Sequence, residues 1–170
     1  MLGYICMEQR GEADRMLAHL AQELVLGGVS LVGMVQDDDT LGPCDMALRL
    51  LPGGVRVALS QPLGKGSSGC KLDPGALEQA VGWVERQLEA GADGADPASL
   101  MILNKFGRQE AAGRGCRGLI GWALANGLPV LLSVPLETRS EFAQFTCGMA
   151  EEVAAEPAAL RDWLTRAGIG

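Results

Sequence analysis

A chain of 170 residues, 48% hydrophobic and 21% charged, is long enough to bury one core and too apolar to be disordered throughout. A net charge of −7 and only 4% aromatic residues exclude a general nucleic-acid binder, which needs clustered cations or stacking platforms. No apolar stretch approaches the ~20 residues that span a bilayer, so membrane insertion is not expected.

The opening MLGYICMEQRGEAD has no basic region and turns polar by Glu8, which argues against a signal peptide. Five scattered cysteines without a CxxC pair imply free thiols in a reducing cytoplasm. Segment 2–7 reads as a strand, and residues 8–14 as a polar turn. Met16, Leu17, Leu20, Leu24 and Val25 then recur at helical spacing until Gly27-Gly28 stops them. Residues 29–36 form a second apolar strand, followed by an acidic loop, QDDDTLGP. Alternation on both sides of PGG predicts a β-hairpin over 44–60. A Gly/Ser/Lys loop, QPLGKGSSGCKLDP, leads through Asp-Pro into a helix reaching about Glu89. A buried strand at 99–103 precedes Asn104-Lys105, and one helix is expected from about Gln109 to Asn126. A further strand at 129–134, a short helix at 141–145 and an amphipathic helix from Pro157 complete the chain. Strands alternating with helices predict a single α/β domain over 1–170, with a mainly parallel sheet covered on both faces. Ligands in such sheets bind beyond the carboxyl ends of the strands, here the loops at 8–14, 37–43, 104–110 and 135–139.

The chain has three lysines, Lys65, Lys71 and Lys105. Two fall in the Gly/Ser loop with Ser67 and Ser68, and the third directly follows a buried strand. Cations so placed in an acidic protein suggest an anion site, and glycines let backbone N–H groups turn toward an oxyanion. A solvent-exposed connector is the competing reading of that loop. Arg114 and Arg117, one turn apart on the expected helix, could face an anion together or form a solvated face.

Other motifs are weaker. Asn104-Lys105 is similar to the guanine-reading Asn-Lys-x-Asp, but the fourth position is Gly107. The turn MEQRGEADR holds no lysine, and Glu12 or Asp14 at a helix start would repel phosphate; Asp14 reads as a cap or first-turn acid. A single histidine, His19, makes a catalytic triad or a His-rich metal site improbable. Cys44 and Cys70 read as small buried hydrophobes that the hairpin and its following loop could bring close.

The stretch ILNKFGRQEAAGRGCRGLIGWALANGLPVLLSVP resembles the second half of the small nucleoside-triphosphatase family first described from thermophiles, within the P-loop NTPases. In that resemblance Asn104 stands at the Walker-B aspartate and Lys105 at the acid after it, while Gly107, Arg108 and Glu110 match the later motif. Asparagine is a poor Mg²⁺ ligand, lysine is no carboxylate base, and the Walker-A lysine is missing, so conventional hydrolysis is not implied. CDMALRLLPGG, LSQPLGKGSSGCKLDPGALE and LNKFGRQEAAGRG together resemble a bacterial family often labelled as a molybdenum ABC-transporter ATP-binding protein. That resemblance implies a link to molybdate uptake.

The expectation is a P-loop-NTPase-like α/β fold with an inserted β-hairpin. Its expected function is to bind an oxyanion or phosphate-bearing ligand without hydrolysing it, with molybdate, tungstate or a nucleotide as the candidate small anion. Lys65, Ser67, Ser68, Lys71, Asn104, Lys105 and Arg114 are the expected ligand-binding residues, with no catalytic residue and no metal ligand. The alternatives are an atypical nucleoside triphosphatase and an interaction module with a vestigial nucleotide site. A homo-oligomer is left open, and no nucleic-acid partner is expected.

Overall fold

In the computed structural model, the described residues are 1–9, 11–37, 46–61, 71–92 and 97–170. Strands β1 (Leu2–Ile5), β2 (Leu31–Gln36), β3 (Ala47–Leu51), β4 (Arg56–Ala58), β7 (Leu100–Lys105), β8 (Val130–Ser133) and β9 (Glu151–Glu152) form a seven-stranded sheet. Its order is β4-β3-β2-β7-β8-β1-β9. The five strands from β2 to β9 in that order run parallel, and the β3–β4 hairpin adds antiparallel to β2. The expected hairpin therefore extends the main sheet at one edge. A separate two-stranded pair, β5 (Ser60–Gln61) and β6 (Lys71–Leu72), sets Gln61 opposite Lys71.

The central strands are buried on both faces, which explains their continuous apolar sequences. On one face, Met34, Leu103 and Leu132 pack against α2 (Pro74–Ala92), α4 (Arg117–Ala125) and α5 (Arg139–Thr146) through Val84, Leu119 and Phe142. On the other, Val35, Ile102 and Leu131 meet α1 (Glu12–Leu26) and α6 (Pro157–Arg166) through Leu17, Ala21 and Trp163. Among the described residues, no helix is long and apolar enough to cross a membrane.

The single helix expected over 109–126 is two helices, α3 (Arg108–Ala111) and α4, separated by a turn in which Gly113 and Gly115 have φ of 83° and 59°. Side chains other than glycine's are disfavoured at such angles, so the Gly-Arg-Gly sequence is itself the break. The short strand β9 was not expected from the sequence. Two glutamates in succession carry no strand pattern, and only pairing with Gly3 and Tyr4 of β1 makes them one.

Within β2, Gly33 has φ 130°, and an ideal Cβ there would lie 2.0 Å from the Ile102 carbonyl oxygen. The β2–β7 pairing thus depends on a missing side chain at its centre. Gly33→Ala should lower unfolding stability in urea by more than about 3 kcal/mol, in the range reserved for buried steric conflict. A loss below about 1 kcal/mol would show that the strand pair relaxes around the methyl group.

Candidate functional site

The carboxyl ends of β1, β2, β7 and β8 border a cleft of about 490 Å³. The parallel topology puts these ends on one edge, and the N-terminus of α1 enters the same space through Gly11 and Asp14. Gly11, with φ 78°, makes the N-cap without any side-chain hydrogen bond to the helix. Asp14, in the first turn, points its carboxylate across the sheet edge rather than capping α1.

Asp14 Oδ2 accepts a hydrogen bond from Lys105 Nζ, and its Oδ1 accepts one from Ser133 Oγ at 2.6 Å. Ser133 Oγ also lies 2.7 Å from the Asn104 carbonyl oxygen, so its one proton serves two neighbouring acceptors. These contacts bind α1 to the ends of β7 and β8, across 91 and 119 residues of sequence. The Asp14 side chain is 5% exposed and that of Lys105 40% exposed. Lys105 therefore anchors a buried carboxylate while its remaining N–H donors face the cleft; Asp14 is its one partner among the described residues. A carboxylate at this helix start is favoured by the helix dipole, so the chain itself supplies the anion that the position attracts.

Local strand geometry places Lys105. The β7–β8 register runs Leu103 to Leu132 and then Lys105 to Ser133, so Asn104 is the extra residue of a β-bulge. The bulge brings Lys105 opposite Ser133. It also leaves Asn104 Oδ1 buried and without a hydrogen-bond partner among the described residues.

A second carboxylate shapes the rim. Buried Glu110 accepts from the Gly107 N–H at 2.8 Å and the Cys116 N–H at 3.0 Å, one on each oxygen, closing the 107–116 segment. An ideal Cβ on Gly115 would lie 2.1 Å from Glu110 Oε1, which explains why the helix breaks there at a glycine. Burial pushes the Cys116 thiol well above its usual range, and the nearby Glu110 carboxylate pushes it further. Asp37, also on the cleft wall, accepts from Arg56 Nε at 2.8 Å.

Of the residues expected to bind a ligand, Asn104 and Lys105 line the cleft. Arg114 lies in the break between α3 and α4, and its Nε donates to Gln109 Oε1 at 3.0 Å. It borders a separate shallow surface beside α2. Arg117 does not face an anion with it: its guanidinium sits 4.4 Å over the Phe145 ring. Lys65, Ser67, Ser68, Cys44 and Cys70 lie outside the described residues, and of Lys71 only the backbone is described, in β6. His19 is exposed on α1. Sequence reasoning missed Ser133. Its signal was a polar residue ending an otherwise apolar strand, VLLS.

The fold family implies Mg²⁺, a hard cation held by carboxylates and phosphates. The donor set at the end of β7 does not fit it, because an amide and an ammonium stand there, and the nearby Asp14 carboxylate already holds that ammonium.

Residues 2–163 match the model of the DUF2478 family, described as a protein of unknown function. The chain belongs to the DUF2478 family. A curated relative, the "Molybdenum import ATP-binding protein ModC 2" of Bradyrhizobium diazoefficiens, is 33% identical over 162 residues. The match covers 94% of this chain and 17% of that protein, so the DUF2478 chain spans under a fifth of the relative's length. The crystal structure of THEP1 from the hyperthermophile Aquifex aeolicus superposes with a TM-score of 0.65 at 12% identity, covering 97% of this chain and 94% of that one. The P-loop-NTPase-like α/β fold expected from the sequence is the fold observed.

Glu110→Gln should cost about 1–3 kcal/mol in unfolding stability, because one of the two N–H donors would then face an amide NH₂. A neutral substitution in urea denaturation would mean that the carboxylate does not close this turn.

Proposed function

We propose that this DUF2478 chain binds a small oxyanion or phosphate-bearing ligand in the cleft without hydrolysing it, and that it serves molybdenum handling. The observation that carries the reading is Lys105. Its ammonium stands at a strand's carboxyl end, where ligands bind in this class of sheet, with donors left over from Asp14. The Lys65–Lys71 loop would supply the other half of the cradle through Lys65, Ser67, Ser68 and Lys71. In support, Leu59 and Leu72, which flank that segment, line the same cleft. The name of the ModC 2 relative supports the molybdenum link.

The absence of hydrolysis follows from the residues at the two places that matter. The turn CMEQRGEAD offers no lysine to a γ-phosphate, and Asn104-Lys105 offers no carboxylate to a metal or an attacking water. The Asp14 carboxylate at the start of α1 favours a second reading, an interaction module whose nucleotide site is filled by its own side chains.

Calorimetry of the native protein with inorganic phosphate, molybdate, tungstate, sulfate and ATP separates the two. At least one anion should bind. A charge-assisted hydrogen bond contributes about 1.5–3 kcal/mol, so Lys105→Met and Lys65→Ala should each weaken that binding at least about tenfold. Mg²⁺-dependent phosphate release from ATP or GTP should stay at background. If no anion binds at millimolar concentration, the interaction module is the correct reading. Turnover at ordinary NTPase rates would overturn both.

A further inference from the structure

We propose that Asp14 makes the cleft selective for oxyanions that still carry a proton, of which inorganic phosphate is the type, over fully deprotonated tetrahedral dianions such as sulfate and molybdate. This rests on the oxyanion reading of the cleft and names the ligand class within it; the link to molybdenum handling would then run through a phosphate-bearing ligand and not through molybdate held in this cleft. Any anion that takes a hydrogen bond from Lys105 Nζ must sit next to the carboxylate already bound to that ammonium. Asp14 is buried and cannot swing away, because α1 is packed against the sheet by Leu17, Ala18 and Ala21, and Ser133 holds its other oxygen. A bare dianion therefore meets a fixed like charge. A ligand with one O–H instead donates to that carboxylate, turning repulsion into a charge-assisted hydrogen bond. An ionised carboxylate has about four lone-pair sites, so the contacts to Lys105 and Ser133 leave it acceptor capacity.

At neutral pH inorganic phosphate keeps at least one O–H, whereas sulfate and molybdate keep none. A ligand without the hydroxyl loses that charge-assisted hydrogen bond and sets an electronegative atom against the fixed Asp14 carboxylate instead.

The test is calorimetry of the full chain at neutral pH with inorganic phosphate, sulfate, molybdate and monofluorophosphate, which has fluorine in place of the hydroxyl. Native protein should bind phosphate on the order of a hundredfold or more tighter than the other three. Asp14→Asn, which removes the charge but keeps the side-chain shape, should bring sulfate and molybdate to within about tenfold of phosphate. Comparable binding of phosphate and monofluorophosphate by native protein would overturn the proposal, and this arm needs no variant to fold. An unchanged preference in folded Asp14→Asn would overturn it equally. If no anion binds either protein, the oxyanion reading itself fails and this assignment falls with it.

Discussion

The contact between Asp14 and Lys105, completed by Ser133, is the constraint on which the functional edge of the sheet depends. Among the described residues, it is the one place where the first helix, the end of β7 and the end of β8 meet through polar side chains. A carboxylate as buried as Asp14 is costly unless paired and hydrogen-bonded, and both its oxygens are satisfied. Lys105, being partly exposed, keeps part of its hydration, so the pair avoids the full desolvation cost of a buried salt bridge. The same partial exposure leaves the Lys105 ammonium available to the cleft, which Arg108 also lines.

The arrangement exchanges the charges of the pattern that the sequence resembles. In the P-loop family the helix turn carries a lysine and the strand end an aspartate. Here the helix carries Asp14 and the strand end Lys105. A pairing of helix start with strand end is present here too, beside the apolar packing of α1 on the sheet. At this edge a carboxylate stands at the helix start and an ammonium at the strand end, the reverse of that pattern. The bulge at Asn104 is what makes the exchange fit, since without it Lys105 would not stand opposite Ser133.

Much of the fold was legible because it rests on strong local patterns. The apolar runs of β2, β7 and β8 marked buried parallel strands, and the alternation around PGG marked the hairpin. The break between α3 and α4 was not read, although Gly113-Arg114-Gly115 announces it, because apolar periodicity continues on both sides. What closes that break is Glu110 reaching back to two backbone N–H groups, which no periodicity reveals. The site was half legible. Lys105 stood out as a cation after a buried strand, and Asp14 was recognised as a first-turn acid. Their contact was hidden because it joins residues 91 apart. Arg114 was misplaced for the same reason as the helix, since its position depends on where the chain turns rather than on its spacing from Arg117.

The most direct measurement is a double-mutant cycle in unfolding free energy, using Asp14→Asn, Lys105→Met and the double variant. If the pair ties α1 to the end of β7, the two substitutions should couple by about 1 kcal/mol or more, as contacting residues in one network do. Losses that add to within about 0.5 kcal/mol would show that the two side chains do not support one another. The account of the sheet edge would then lose its foundation.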